Sequence, residues 1–317
     1  MSTSAANASN HERSFLPTDE TASFSDSERL QIAQQVGIAT TTLYPTWRSG
    51  EGGPITSDKV RGDLALTTAG LAAAQGYKFV VVDGGSSEEF KKALEATGVV
   101  VEAQSEPGMS AGRRQAFESV SKLDGVKVIC WTEPEKVSMV RDCLIEPAKL
   151  ILEDKADLII PSRDGDGFGT YPDYQVKFEK ESNKAWNGIL RRHHLLDDHA
   201  EQLDAWIGPR IFKNEPGLVS LFEDRYEFVG ERQSGLTKDH PDLWSNAIFL
   251  PIIAALARKY RVQSVPVAYK HPAQQTAIEQ DSPEFQAKRA LQQKSILIAT
   301  VHFIRLLEGN TSSRLRR

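Results

Sequence analysis

From Leu30 to about residue 165, short unbroken apolar runs alternate with longer stretches of helical period. The runs are VGIATTTLY (36–44), YKFVVVDGG (77–85), VVVEAQ (99–104), VKVICW (126–131) and ADLIIPSRD (156–164). A strand with one wet face alternates apolar and polar residues, whereas one covered on both faces reads as a continuous apolar run. These runs therefore predict a parallel sheet with helices on both sides. The helices are predicted at LALTTAGLAAAQG (64–76), SSEEFKKALEATG (86–98), SAGRRQAFESVSKL (110–123) and from the Glu133-Pro134-Glu135 turn to about Asp154. Gly76 and Gly98 stand as helix terminators and Ser86 as an N-cap. Strands alternating with helices define an α/β, doubly wound architecture.

The second half reads differently. A long charged helix is predicted over 171–196, and a short strand and turn at DAWIGPRIF (204–212). A helix over 240–260 with Pro251 inside it, a strand at RVQSVPVAYKH (261–271) and a final helix over 281–307 complete the set. Asp281 and Glu284 have capping-box spacing at the start of that last helix. Residues 1–27 are rich in Ser, Thr and Asn without apolar periodicity and read as a disordered arm. The remainder, 28–317, reads as one domain, divided into halves at 28–165 and 166–317.

Composition narrows the class. A net charge of -5 and a pI near 5.9 give no electrostatic reason to expect nucleic acid as a partner. Cys130 and Cys143 lack metal-ligand spacing and make no disulfide framework, which fits a reducing, cytoplasmic setting. The N-terminus has no apolar signal segment. The most apolar late stretch, residues 295–307, carries His302 and Arg305 and is shorter than the ~20 residues of a membrane span.

In open α/β sheets ligands bind beyond the carboxyl ends of the strands, so the residues just after each run are the candidates for chemistry. Asp83-Gly84-Gly85 either forms a simple tight turn or lets a ligand approach the backbone closely. Trp47 either covers the edge of the core or faces a base, and Arg113 and Arg114 are either a solvated helix face or a diphosphate contact. Thr132-x-x-Glu135 has capping-box spacing with Pro134 in the first turn. Alternatively, the residue before a proline is extended, and Glu133 and Glu135 then point to one side and address one cation. His271 is either an exposed loop residue or a metal ligand. Arg163 and Asp164 open a Gly-rich loop that serves as a lid, an acceptor contact or a surface excursion. Asp239 and Asp242 either cap a helix or act as a general base, and Asp204 is a third candidate for that role.

Taken in order, Pro45-Thr46-Trp47, VVVDGGSS (80–87), GMSAGRR (108–114) and TEPE (132–135) resemble the nucleotide-sugar half of GT-A glycosyltransferases, especially family 2 and relatives that glycosylate small acceptors. The resemblance covers residues 37–165 and extends more faintly through IGPRIF and VPVAYKH. It implies a GT-A-type, mostly parallel sheet and a metal-dependent glycosyltransferase that moves a sugar from a nucleotide-diphosphate donor to a hydroxyl acceptor. It assigns Pro45, Thr46, Trp47, Arg48, Asp83, Gly84, Gly85 and Arg113 to the nucleotide sugar, and Glu133, Glu135 and His271 to Mn²⁺ or Mg²⁺. Arg163, Asp164 and Gly208 fall on the acceptor side, with Asp239 or Asp242 as the base of an inverting transfer. The chain carries glutamates where the family usually has aspartates, and Arg114 where relatives often have Asn. The implied partners are a sugar-nucleotide donor and a small-molecule, glycan or protein acceptor, with homo-oligomers allowed. Two alternatives stay open: a nucleotidyltransferase using Arg48 and the glycines from Gly50 to Gly53, or a non-catalytic GT-A-like binding protein.

Overall fold

The computed structural model describes residues 24–50, 55–229, 245–309 and 314–316. Helix α1 (Asp26–Ala33) opens the described chain, slightly ahead of the expected start. Ser25 and Glu28 close a reciprocal capping box on it. Strand β1 (Val36–Thr42), α2 (Ser57–Ala74), β2 (Lys78–Asp83), α3 (Glu88–Glu95), β3 (Val100–Ala103), α4 (Met109–Ser121) and β4 (Val128–Trp131) follow in the alternating order read from the sequence. A π-helical turn at Met139–Cys143 leads into α5 (Ile145–Leu152) and β5 (Leu158–Arg163). Then come α6 (Gly165–Phe168), α7 (Asp173–Arg192), β6 (Arg210–Lys213), α8 (Pro216–Glu223), β7 (Glu227–Val229), α9 (Asn246–Ala257), β8 (Val262–Val267), α10 (Ala273–Glu279), α11 (Pro283–Leu307) and β9 (Arg314–Arg316).

Seven strands form one sheet in the order β3-β2-β1-β4-β6-β5-β8, and β7 and β9 pair separately. Every pairing in the large sheet is parallel except those of β6, which runs antiparallel to both β4 and β5. Trp131 pairs with Arg210, so β6 begins at the edge where β4 ends. That reversal brings the segment before β6 to the carboxyl edge of the sheet.

The two faces are covered as the continuous apolar runs require. On one face α4, α7, α8, α9 and α11 bury Phe117, Trp186, Phe222, Phe249 and Phe303 against Ile129, Trp131 and Phe212. On the other, α1, α2, α3 and α5 pack Ala69, Phe90, Leu94 and Ile151 on Ile38, Phe79 and Val81. Eleven of the twelve residues of α9 are buried, so the helix is apolar all round and contains Pro251.

Two caps sit one residue from their expected positions. Ser87, not Ser86, caps α3 by accepting from the Phe90 amide, while the Ser86 hydroxyl accepts from the Tyr44 amide. Ser282 rather than Asp281 caps α11, accepting from the Phe285 amide.

Candidate functional site

The parallel strands all present their carboxyl ends on one side, and a cavity opens there. Its walls come from the turn after β4, the segments before α7 and β6, the segment after β8, and the helices α2, α4, α7, α10 and α11. Arg113, Glu133, Glu135 and His271 all line it, as do Arg61, Lys136 and Tyr171. Its volume is about 190 Å³. That is room for a diphosphate or a small acid but below the ~300 Å³ of a pocket that encloses a drug-sized ligand.

The Glu-Pro-Glu turn adopts neither of its two expected arrangements. The Thr132 hydroxyl donates to the Glu133 carbonyl and its own carbonyl accepts from Thr40, so no capping box forms. Glu135 points the other way. One of its oxygens is 2.7 Å from Arg61 Nε and accepts from the Tyr44 hydroxyl at 2.9 Å. The carboxylate holds the Arg61 guanidinium well above its ordinary pKa, against the effect of burial. Burial first, then Glu135, drives the Tyr44 phenol upward as well. The expected role of Glu135 as a metal ligand is therefore replaced by an ion pair with α2.

Glu133 remains oriented to the cavity. Its Oε2 is buried without a hydrogen-bond partner among the described residues, and its carboxylate lies against Gly208. Gly208 has φ +100, and a Cβ there would collide with both Glu133 oxygens, so the close approach needs glycine. Arg210 shapes the same loop by donating to the carbonyls of Ala205, Gly208, Pro209 and Ile248. Burial lowers Arg210 to about 10 even with Glu133 nearby.

Arg113 is buried on α4 with its guanidinium 4.8 Å from the Trp131 ring centroid, and burial lowers it to about 10 against the pull of Glu133. Lys136, missed in the sequence reading, places its ammonium 3.5 Å from the Tyr171 and Tyr269 hydroxyls and over both rings. His271 is 7% exposed and stacks on Tyr171 at 4.2 Å, and neither ring nitrogen has a hydrogen-bond partner among the described residues. Burial, then the charges of Lys136, Arg289, Arg163 and Arg61, push it down to about 2. It is a neutral imidazole in a positive field.

The residues expected to grip the nucleotide divide into two groups. Asp83 is buried and accepts from the Thr42 hydroxyl and from the Gly85 and Ser86 amides, so its carboxylate shapes the turn in which Gly85 has φ +116. The Gly84 amide continues the pairing by donating to the Thr42 carbonyl. Pro45 and Thr46 are exposed, and Thr46 is tied to Asp58. Trp47 is not free to stack on a base. It is 3% exposed, meets Phe90 edge-on at 5.5 Å, and donates from its indole to Asp63. Arg48 is exposed and donates to the Trp47 carbonyl.

The acceptor-side expectation for Arg163 is also corrected. Its guanidinium is fully buried, paired with Asp204 at 2.7 Å and Glu179 at 2.5 Å, and lies over Phe168 and Tyr171. Asn183 adds a further donor to Asp204. Burial would raise the Asp204 carboxyl, but Arg163 and Asn183 hold it below the usual range. This saturated network also removes Asp204 from candidacy as a base. Asp164 is exposed and caps the four-residue α6 by accepting from the Gly167 amide. Asp239 and Asp242 lie outside the described residues.

Among the described residues no group of three His, Cys, Asp or Glu side chains converges as a metal cluster. Glu133, Glu135 and His271 share the cavity wall but do not form the expected ligand trio. The residues missed in sequence, Arg61 and Lys136, each had a faint signal. Arg61 lies in α2, whose apolar periodicity is visible only from Leu64, and Lys136 directly follows the acidic turn.

No family model matches the chain, and no curated protein matches it in sequence. Among solved structures it is similar to glucosyl-3-phosphoglycerate synthase from Mycobacterium tuberculosis, with 10% identity, a TM-score of 0.52, and coverage of 87% of this chain and 85% of that one. The same synthase in complex with phosphoglyceric acid aligns with a TM-score of 0.53 and 10% identity, over 94% and 92% of the two chains. Its complex with Mn²⁺, uridine diphosphate and glucosyl-3-phosphoglycerate aligns at 0.50 and 10% identity, over 92% and 87%. The chain has the GT-A fold: an α/β architecture with a seven-stranded, mostly parallel sheet flanked by helices.

Proposed function

We propose that this chain transfers a sugar from a nucleoside-diphosphate sugar to a hydroxyl acceptor. The observation that carries the reading is the cavity at the carboxyl edge of the sheet, where Arg113, Lys136, Glu133 and His271 face one space. The GT-A fold supports it, since the M. tuberculosis synthase that shares the fold holds UDP-glucose and phosphoglyceric acid together with Mn²⁺.

A departing nucleoside diphosphate develops negative charge, and fixed positive groups in a water-poor cavity stabilise that charge. Arg113 and Lys136 are such groups. The unpartnered Glu133 Oε2 and the neutral His271 ring suit hydrogen bonds with sugar hydroxyls. The cavity encloses the charged part of the donor, and the base and ribose lie over the exposed turns at Pro45, Thr46, Arg48 and Gly85. The acceptor approaches from the side of Gly208 and Asp164. Asp239 and Asp242 remain our proposal for the general base, on their sequence position just ahead of α9.

Mn²⁺ or Mg²⁺ bound by Glu133, Glu135 and His271 does not fit this arrangement. Glu135 is committed to Arg61 and Tyr44, and among the described residues no three His, Cys, Asp or Glu side chains converge to complete a shell.

The test is release of nucleoside diphosphate from a panel of UDP-, GDP-, ADP- and dTDP-sugars with hydroxyl acceptors. Wild type is expected to turn over at least one donor, and Glu133→Gln to lose about 10- to 100-fold in kcat/KM. Pyrophosphate release from a nucleoside triphosphate and a sugar 1-phosphate would replace this reading with a nucleotidyltransferase. The commitment of Glu135 favours one other reading, a GT-A-fold binding protein, which would hold a nucleoside diphosphate and turn over none of the panel.

A further inference from the structure

Three cationic side chains line the cavity with no carboxylate within 4.0 Å among the described residues: Lys136, Lys288 and Arg289. The acids around them are largely committed. Glu135 is paired with Arg61, and Glu179 with Arg163. Glu279 accepts from Gln275 through one oxygen and keeps the other unpartnered, as Glu133 does.

We propose that these cations, Lys136 foremost, take the place of a divalent metal, so that the chain binds the diphosphate of its donor without one. The inference rests on the sugar-nucleotide reading above. Among the described residues, Lys136 Nζ meets the hydroxyls and ring faces of Tyr171 and Tyr269. This ammonium is half-buried and has no carboxylate within 4.0 Å among the described residues, so an incoming diphosphate supplies a counter-charge in direct contact. Arg289 adds a planar fork suited to phosphate oxygens, and Lys288 a mobile point charge on the same helix. A divalent ion meets the opposite conditions. Mg²⁺ and Mn²⁺ need several oxygen ligands in close geometry, yet among the described residues no three candidate ligands converge. The same three cations would repel the ion.

The experiment is isothermal titration of the full chain with UDP, GDP, ADP and dTDP, in EDTA and again with Mn²⁺ or Mg²⁺. At least one diphosphate is expected to bind in EDTA with a Kd within about threefold of its value with metal. Lys136→Met is expected to weaken that binding by about tenfold or more, and Lys136→Arg to retain it within about threefold. Circular dichroism and melting verify that the variants fold. If Lys136→Met does not fold, Lys288→Gln/Arg289→Gln on α11 gives the same readout. Binding that appears only with metal overturns the inference and leaves the glycosyltransferase reading standing. Unchanged binding by folded Lys136→Met and by the α11 double variant also overturns it. Absence of binding with and without metal removes the glycosyltransferase reading, and this inference with it.

Discussion

Replacing Arg61 with Met isolates the contact that decides the Glu-Pro-Glu turn. The substitution keeps the aliphatic length and leaves the Glu135 carboxylate with Tyr44 as its remaining partner. Removing one partner of a buried ion pair costs about 3–5 kcal/mol. The Glu135 side chain is only 6% exposed, but that of Arg61 is 31% exposed, so solvent screens part of the loss. We therefore expect about 2 kcal/mol. At about 2 cal/mol/K of unfolding entropy per residue, a chain of 317 residues then loses about 3 °C in Tm. A double-mutant cycle with Glu135→Gln measures the pair itself by urea unfolding. The double variant should recover about 1 kcal/mol or more relative to the sum of the single changes. Additivity within about 0.5 kcal/mol would show that the two side chains do not interact. A Tm rise with Mn²⁺ in wild type that Glu135→Gln abolishes would refute the reasoning from the other side, since Glu135 would then be a metal ligand.

Arg163→Met strands two buried carboxylates, so it should cost about 3–5 kcal/mol in urea unfolding, and Arg163→Lys should restore little because one ammonium cannot reproduce the paired geometry. Gly208→Ala imposes a Cβ at φ +100 against Glu133. We expect a loss of about 1–2 kcal/mol in stability together with weaker donor binding, both measured on the same preparation. His271 titrates near 2 in the folded chain and about 6.5 unfolded. The unfolded state thus binds the extra proton, and the contribution is complete above pH 6.5 and declines as pH falls toward 2. Between pH 7.5 and 5.5 wild type should lose about 1 kcal/mol more than His271→Leu, and equal slopes in the two would refute the assignment.

The fold was legible because it depends on burial repeated over many residues. Continuous runs such as FVVV and VICW can satisfy their side chains only between two helical layers, and α4, α9 and α11 on one face with α2, α3 and α5 on the other provide them. The reversal of β6 was not legible, since a four-residue strand carries no sign of its direction. That reversal nonetheless decides the site, because it carries Trp206, Ile207 and Gly208 to the edge where Glu133 emerges.

The sequence by itself determined the α/β architecture, the edge at which the cavity opens, and the proximity of Arg113, Glu133 and His271 to that edge, since each follows a run or starts the next helix. Only the tertiary structure decided what each charge does. Arg61 and Glu135 are 74 positions apart yet share an ion pair, as Arg163 does with Glu179 and Asp204. Coulomb interactions depend on distance through space and on local burial. A residue's place in the chain therefore indicates that it can face a ligand, and its partners decide whether it is free to do so.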